Sequence, residues 1–495
     1  MAYVNVHNTQ GNSSLLPLLA FGLIGLLLAL FFGFLASTAN PIFVGVGVAL
    51  LVGVMLLAKP IWNIWLVLSL GLLVVGVLPI WVEGIASRIV WAVSVLGLML
   101  MLRAWFQAVS VSNVTRGTPA FVWLVLAFIF YTLLNTLWQP SSAYAALSGF
   151  KRYFQVTGLL FALAWLPIGE SDIRRWRHFF MVVALFQLPW AVYQLVELVP
   201  IREGFRYAYP SLVAIDVVAG TFGAHMRAGG ANAEMATFLL IVLAFLLTRL
   251  RVGQVSKAQL IWLLPLVLAP LFLGETKAVV VMLPLIFLTI FRRELLSRPH
   301  VAIMGLVVGT MLTIGTGFAY LTITQKTLDE QIAETLSYNI YEKGYGVNVL
   351  NRTTVLTFWA DEQGLDDPAG ALLGHGLGTS HDATGGDIAI RYSGYGISLT
   401  AASSLLWEQG LVGSLLFLMI LGFAWKTANG VRHSDTAPVW VKADAAAIQA
   451  ALSLFTFYLI YRSALLEGLP FQIVFYALLG YLAWMARRYI THRPG

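Results

Sequence analysis

The sequence alternates between long apolar runs and short polar gaps. A predominantly apolar run of about 20 residues is long enough to cross a bilayer as a helix, and runs near that length recur along the whole chain. We place about fourteen of them, at residues 15–36, 41–58, 62–79, 86–103, 119–137, 152–168, 177–199, 233–250, 259–274, 277–291, 301–324, 402–425, 445–466 and 470–487. The pattern predicts an all-α polytopic integral membrane protein with about 12 to 14 transmembrane helices.

The composition agrees with this prediction. Of the 495 residues, 59% are hydrophobic and 11% are charged, whereas about a quarter of the residues of a soluble protein are charged. Cysteine is absent, so the sequence excludes disulfides and cysteine-ligated metal sites. Polar loops must therefore hold their shape by packing alone.

Basic residues predict the orientation of the chain in the membrane. Every second gap contains Lys or Arg, and an excess of these residues marks cytoplasmic loops. They are Lys59, Arg103, Arg116, Arg174, Arg175, Arg177, Arg249, Arg251, Lys257, Arg292, Arg293, Arg298, Lys426, Arg432, Lys442, Arg487, Arg488 and Arg493. We predict a multi-pass protein with both termini in the cytoplasm. The net charge of +7 then needs no anionic partner to explain it.

Two of the remaining, outward gaps are long, at residues 200–232 and 325–401. The second contains NRTTVLTFWADEQGLDDPAGALLGHGLGTSH, residues 351–381, and several aromatic residues. We predict that this gap packs as a small helical cap on the outer face, with an unpacked, solvated loop as the alternative. The predicted domains are an N-terminal bundle (1–324), this extracytoplasmic loop, and C-terminal helices (402–495).

Cations in the outward gaps need a separate explanation, because the positive-inside bias works against them. Arg227 lies in HMRAGGANAEMATFLL, where glycines and the start of a predicted helix suit an anion. Arg352 begins a predicted amphipathic helix in the large loop. Two guanidinium groups near a helix N-terminus match the oxygens of a diphosphate. The alternative is that each arginine pairs with a carboxylate of the loop.

Two further pairs of charged residues leave a similar choice open. Lys277 and Glu275 lie between apolar runs in GETKAVVVMLPL, and form either a functional pair near membrane depth or a simple ion pair at an outer turn. Arg462 and Glu467, in YRSALLEGLPFQ, pose the same alternatives between the last two runs.

The candidate general bases are His375, His381, Asp382 and Glu408. Histidine titrates near neutral pH, and burial raises the pKa of a carboxyl group toward that range. The segment GHGLGTSHD is predicted to form a glycine-containing turn that presents His381 or Asp382 to a substrate. For each, a solvated loop side chain is the alternative. The HExxH, Walker A and Rossmann motifs are absent, and so is any nucleic-acid-binding module.

Four segments resemble, in order, the motifs of the bacterial O-antigen ligase and polymerase superfamily. RAGGANAEMATFLL is similar to its Arg-Gly-Asn run before a span, and GETKAVVVMLPLIFL to its Gly-Ser-Arg/Lys segment. NRTTVLTFWADEQGLDDPAGALLGHGLGTS resembles its loop signature: an Arg, a Trp-containing helix and a Gly-x-Gly-x-Gly turn. SSLLWEQGLVGSLLFL resembles the opening of the span that follows that loop.

One departure bears on the choice within this superfamily. Members commonly carry a His-Asn pair shortly before the Glu of the last motif, but the corresponding segment here, GISLTAASSLLWE, has no histidine. In the ligases that histidine is the suspected base, so its absence favours a polymerase. The role is then open to His381, Asp382 or Glu408.

The resemblance implies a GT-C-type fold and a glycosyltransferase whose donor is a polyprenyl-diphosphate-linked oligosaccharide. It implies transfer to a sugar hydroxyl on the outer face of the bacterial inner membrane, without a metal or a cofactor. The implied partners are the bilayer, the lipid-linked oligosaccharide and other membrane proteins of polysaccharide assembly. The implied site residues are catalytic Arg352, Glu408, His381 and Asp382, and diphosphate-binding Arg227, Arg352 and Lys277.

Three alternatives to the polymerase stay open. An O-antigen ligase and a protein O-oligosaccharyltransferase belong to the same superfamily, whereas a flippase or another transporter belongs to a different class. Transporters usually have short loops on both sides and a repeat between their halves. This chain has one large outward gap and no visible repeat.

Overall fold

A computed structural model describes most of the chain between residues 52 and 490. The described ranges are 52–82, 85–139, 142–209, 212–227, 229–297, 350–364 and 366–490, with a few isolated positions besides. The chain divides into two units after Trp62. All contacts given below lie within the second unit, residues 63–495.

The regular secondary structure of the described residues is entirely helical. The helices are Pro60–Ser69 (α1), Ile85–Ser110 (α2), Ala120–Trp138 (α3), Ala143–Phe154 (α4), Gly158–Trp165 (α5), Glu170–Tyr193 (α6), Val199–Gly204 (α7), Asn232–Arg251 (α8), Lys257–Leu273 (α9), Val279–Ser297 (α10), Thr354–Gln363 (α11), Pro368–Leu373 (α12), Asp387–Arg391 (α13), Ala401–Arg432 (α14), Val439–Tyr461 (α15), Ala464–Glu467 (α16) and Leu469–Tyr489 (α17). Single 3-10 or π turns extend or connect some of them.

Within these ranges, seven helical stretches are long and apolar enough to cross a membrane, and a bent pair that includes α1 would make an eighth. The seven are α2, α3, α6 with its continuation through α7, α8, α14, α15 and α17. Helices α9 and α10 are apolar but shorter over their apolar part. The protein is therefore an all-helical, polytopic membrane protein, as the apolar runs predict.

The apolar side chains divide between a buried core and an exposed surface. In their apolar stretches α8 and α15 are 78% buried and α17 is 94% buried, whereas α2, α3 and α14 are only 33% to 39% buried. Large apolar side chains such as Phe106, Phe130 and Leu137 lie exposed on these outer helices. Such a surface is favourable in lipid, because the helices satisfy their backbone hydrogen bonds internally.

Every predicted run within the described residues overlaps a helix, but the run at residues 152–168 is wrong as a single span. It consists of parts of two helices, α4 and α5, that are separated at residues 155–157. Here α2 crosses so closely that a Cβ on Gly158 would lie 1.9 Å from the carbonyl oxygen of Gly97. A contact of two backbones breaks the run, and hydropathy alone does not reveal it.

The run predicted at residues 445–466 also ends early. Helix α15 stops at Tyr461, Arg462 is extended with φ −152° and ψ 160°, and the short helix α16 follows. Three predicted runs lie wholly or mostly outside the described residues: 15–36, 41–58 and 301–324.

Residues 350–400 fold onto one end of the bundle, which we call the loop end; the opposite end is the far end. Helices α11 and α13 and the first turns of α14 enclose a small apolar core. Its members are Trp359, Ile388, Ile397 and Trp407, with Phe358, Tyr392 and Tyr395 packed against them. The extracytoplasmic position of this region and its predicted boundaries stay predictions, since most of residues 325–349 lie outside the described ranges.

Candidate active site

A break in α14 shapes the loop end. Gly410 has φ 62° and ψ −167° inside an otherwise helical stretch, a conformation that is strained for any residue but glycine. The turn at residues 374–378 packs closely against this break. A Cβ on Gly374, which has φ 81°, would lie 2.5 Å from the backbone nitrogen of Gln409. The break therefore lets a second backbone approach α14 beside Glu408.

Backbone groups released by the break find partners nearby. Two amides of the 374–378 turn donate to the carbonyl oxygens of Trp407 and Glu408, each at 2.9 Å. Asn135 of α3 also donates from Nδ2 to the Glu408 carbonyl at 3.0 Å. An interrupted helix is tolerated among apolar neighbours only when its backbone groups are satisfied in this way.

The Glu408 side chain is fully buried, with 0% exposed. Its Oε1 accepts hydrogen bonds from the Ser380 hydroxyl (2.8 Å) and the Ser380 amide (3.3 Å), and lies 3.2 Å from His381 Nδ1. Its Oε2 has no hydrogen-bond partner of normal geometry in the described chain, although the Tyr153 hydroxyl lies close by. A buried carboxylate is costly unless its oxygens are bonded. A proton shared between Glu408 and His381 is therefore stabilised.

His381 connects Glu408 to a second carboxylate, Glu467. The Nε2 atom of His381 lies 3.0 Å from Glu467 Oε2. The Ser463 hydroxyl donates to Glu467 Oε1, and Arg152 Nη1 lies 3.6 Å from Oε2. We call Glu408, His381 and Glu467 the acid–base chain. It leads from a fully buried carboxyl group to a side chain that is 33% exposed.

The acid–base chain can hold and transfer a proton. A neutral imidazole donates from one ring nitrogen and accepts at the other, whereas an imidazolium donates from both. With a carboxylate on each side, the imidazolium form of His381 is stabilised by two charge-assisted hydrogen bonds. Glu467, at the exposed end, is placed to take a proton from a substrate hydroxyl and to share it with His381.

Two arginines lie at the break after α15. Arg462 donates from Nη1 to the Gly230 carbonyl (3.0 Å) and to Glu234 Oε2 (3.1 Å), and the Glu234 carboxylate raises the pKa of Arg462. Arg352 donates from Nε to the Tyr461 carbonyl (2.8 Å), and its guanidinium carbon lies 4.5 Å from the centre of the Tyr461 ring. Both arginines therefore lie at the end of α15, and the short segment that follows leads to Glu467 of the acid–base chain.

A further arginine is buried near Arg462. Arg202 is 0% exposed and donates from Nη1 to the His225 carbonyl, while its Nε and Nη2 have no hydrogen-bond partner among the described residues. Asp216 lies within electrostatic reach of both arginines. Burial raises the pKa of Asp216, and the arginines oppose that rise. Two arginines, Arg202 and Arg462, thus lie with two carboxyl groups, Asp216 and Glu234, at the loop end.

Four of the predicted site residues have clear positions. His381 and Glu408 are in contact, as described above, and Arg352 lies at the end of α15. Asp382 is exposed, and its carboxylate makes no hydrogen bond or ion pair within the described ranges. The structure therefore separates the two neighbouring candidate bases, since only His381 joins a second titratable group.

The remaining two predicted residues, Arg227 and Lys277, have exposed side chains at the loop end. Arg227 precedes Gly230, the residue whose carbonyl binds Arg462. Lys277 lies at the turn before α10, within electrostatic reach of Glu275 and Asp216. Neither is placed in contact with the acid–base chain.

Several residues of the site were not predicted as such. Ser380 carries no local sequence signal that marks it, whereas Arg152 is one of the cations of the outward gaps, to which the sequence assigns no role. Glu467 and Arg462 were left between a functional and a structural interpretation, and the structure places both at the junction of the arginines and the acid–base chain. The sequence signal for Glu467 and Arg462 is that two charged residues lie at the end of the apolar run at residues 445–466.

In the part of the chain that the structure describes, no three His, Asp or Glu side chains converge so as to hold a metal ion. In the acid–base chain, the two carboxylates contact opposite nitrogens of the His381 ring.

No known protein family and no curated protein matches this chain. Its function has to be inferred from its own residues.

Proposed function

We propose that the protein is a membrane glycosyltransferase that joins polyprenyl-diphosphate-linked oligosaccharide units into a longer surface polysaccharide or exopolysaccharide. The reaction takes place on the outer face of the bacterial inner membrane, where the loop end would lie, and needs no metal ion. A GT-C-type fold and cytoplasmic termini belong to the same proposal. The observation that carries it is the acid–base chain beside the arginines of the loop end.

In the proposed reaction, Glu467 accepts the proton of the acceptor sugar hydroxyl. The hydroxyl oxygen forms a bond to the anomeric carbon of the donor, and the bond from that carbon to the diphosphate oxygen breaks. The electron pair of the broken bond stays on the diphosphate. The proton is shared with His381, whose imidazolium form Glu408 stabilises from the opposite side of the ring.

Arginines stabilise the negative charge that develops on the leaving diphosphate. A guanidinium fork binds phosphate oxygens in pairs, and such contacts strengthen as the charge grows. Arg352, at the end of α15, and the exposed Arg227 and Lys277 are the proposed ligands. Behind them, the buried Arg202 and the half-buried Arg462 are balanced by the carboxyl groups of Asp216 and Glu234.

The resemblance to the O-antigen ligase and polymerase superfamily gains support from the way its four segments contact one another in two pairs. Asn232 of the first segment donates to the Gly274 carbonyl at the start of the second, at 3.1 Å. The 374–378 turn of the third donates to the Glu408 carbonyl in the fourth. Segments far apart in sequence thus lie together at one end of the bundle, as parts of one site would.

The choice of a polymerase within that superfamily rests on the missing His-Asn pair. His381 places an imidazole 3.2 Å from Glu408, although no histidine occurs in the segment GISLTAASSLLWE. We infer that His381, together with Glu467, takes the base role in this chain.

A deletion strain tests the reaction by what it accumulates. Loss of a polymerase leaves single repeat units on the lipid at the outer face. Loss of a ligase leaves long chains on the lipid, and loss of a flippase leaves single units on the inner leaflet. Either of the last two results would overturn the proposed reaction.

Purified protein provides the complementary test. Given lipid-linked repeat units in detergent with EDTA, it should still lengthen them, and the His381→Gln variant should not. Elongation that depends on an added divalent metal would contradict the proposed mechanism.

A further inference from the structure

A second buried carboxylate, Asp444, lies at the far end of the bundle. Arg249 binds it with two hydrogen bonds, from Nε to Oδ1 (2.8 Å) and from Nη2 to Oδ2 (2.9 Å). Arg177 Nη1 (2.9 Å) and the Tyr481 hydroxyl (2.6 Å) also donate to Oδ2. Arg249 is fifteen residues after Glu234 on α8, so this cluster lies on the order of 22 Å from the loop-end arginines.

This cluster carries one more positive than negative charge. Arg177 and Arg249 are both cations, and Asp444 is the one carboxylate that contacts them within the described ranges. The Nε atom of Arg177 is buried and has no hydrogen-bond partner there. A partly buried charge without a counter-ion is unfavourable, so an anion at this position would be stabilised.

An apolar cavity adjoins Arg177 and Arg249. Its volume is about 100 Å³, and it is lined by side chains of α1, α5, α6, α8 and α17 together with Arg177, Arg249 and Tyr481. Ala477 and Val242 are among the buried lining residues, whereas Phe180, Phe245 and Leu478 are only half-buried, so the cavity reaches the surface of the bundle.

We propose that this cavity binds one anionic phospholipid, with its phosphate at Arg177 and Arg249 and the start of an acyl chain among the apolar side chains. The excess positive charge favours an anionic headgroup over a zwitterionic one. The apolar lining favours a lipid over a free phosphate, since a hydrated anion gains nothing from such walls. The site does not depend on the proposed function, because it shares no residue with the loop end.

Lipid binding to purified, delipidated full-length protein tests this site. Titration with phosphatidylglycerol, followed by native mass spectrometry, should show one tightly held lipid per chain. The Arg177→Gln variant should bind it about ten-fold more weakly, since a hydrogen-bonded charge is lost. Asp444 keeps both bonds from Arg249 in this variant, so the fold should persist, and circular dichroism and gel filtration check that it does.

Matched variants separate the charge from the cavity. Arg174→Gln, on the same helix but 62% exposed and paired with Glu170, should bind phosphatidylglycerol as the unchanged protein does. Ala477→Phe should fill the cavity and abolish binding while both guanidinium groups remain.

Three results would overturn the proposal. In the first, Arg177→Gln binds phosphatidylglycerol as tightly as the unchanged protein does. In the second, the unchanged protein binds phosphatidylethanolamine as tightly as phosphatidylglycerol. In the third, inorganic phosphate alone raises the melting temperature as much as phosphatidylglycerol does.

Discussion

Two fully buried carboxylates, Glu408 at the loop end and Asp444 at the far end, are held in different ways by the same bundle. Both oxygens of Asp444 accept hydrogen bonds, from two guanidinium groups and the Tyr481 hydroxyl. Glu408 has one oxygen bonded to Ser380 and near His381, and a second oxygen without a hydrogen bond of normal geometry among the described residues, although the Tyr153 hydroxyl lies close to this carboxylate. One carboxylate is fully satisfied and the other is not.

The partners explain what the difference means. A guanidinium group keeps its charge at every accessible pH, so its partner carboxylate stays ionised and fixed. An imidazole gains and loses its proton near neutral pH, so the carboxylates beside it can exchange protons with a substrate. The backbone differs in the same way, because Asp444 lies in an uninterrupted helix and Glu408 lies two residues before a break. The charges of the Asp444 cluster are therefore fixed, whereas the groups around Glu408 can exchange a proton.

The largest expected effect is the loss of activity when the titratable nitrogen atoms of His381 are removed. His381→Gln should reduce polymerisation of lipid-linked units by about 100- to 10,000-fold, the usual contribution of a general base. The melting temperature in detergent should change little. Asp382→Asn, at the exposed neighbouring position, is the control and should retain activity. Full activity in His381→Gln would remove the acid–base chain from the mechanism.

The second prediction concerns Asp444, where stability rather than activity should fall. Asp444→Asn removes the charge that compensates two arginines, and breaking such a buried pair typically costs about 3 to 5 kcal/mol of unfolding free energy. Denaturant unfolding in detergent measures this loss. The exposed Asp435→Asn should unfold as the unchanged protein does. A stable but inactive Asp444→Asn protein would reverse the roles given to the two ends.

The sequence predicts the helices well, but it predicts the contacts of the candidate site only in part. The apolar runs predict the helices because a membrane span depends on local hydropathy, and His381 and Glu408 were both singled out as candidate bases. Their contact could not be predicted, since it depends on the break at Gly410. That break lies inside an apolar run that reads as continuous, and it is stabilised by donors distant in sequence, such as Asn135.

The same reason applies to Glu467 and Arg462. Their run, residues 445–466, is apolar enough to be one helix, and hydropathy gives no sign that it ends at Tyr461. The partners that hold the break come from elsewhere in the chain: Gly230 and Glu234 bind Arg462, and His381 binds Glu467. Interruptions of membrane helices depend on tertiary contacts, and both interruptions here bring charged or titratable side chains together.

A third, smaller effect is expected from the break itself. In Gly410→Ala the new Cβ would lie 2.4 Å from the Leu372 carbonyl oxygen, at a backbone φ of 62°. Backbone strain of this kind costs about 1 to 3 kcal/mol. The 374–378 turn should move away from Glu408, and activity should fall together with stability.

The control lies in the same helix, at Gly422. A Cβ there meets nothing within 4 Å, so Gly422→Ala should stabilise α14 by up to about 1 kcal/mol. Thermal unfolding of both variants, with activity measured in parallel, checks the pair. Equal behaviour of the two would mean that the break has no role in the site.

The smallest effect separates His381 from a second histidine of the loop end, His375. Burial is the main cause that lowers the pKa of His375 below its ordinary value of 6.5, and its Nε2 lies 3.1 Å from Gln363 Oε1. The folded state therefore favours the neutral ring. Its contribution to stability should be fully present above pH 6.5 and should be lost as the pH falls through the lowered pKa. Unfolding measured from pH 8 to pH 5 should show this decline in the unchanged protein and a weaker one in His375→Gln. His433→Gln, at an exposed position, should leave the decline intact. A similar decline in the His375→Gln protein would mean that other groups cause it.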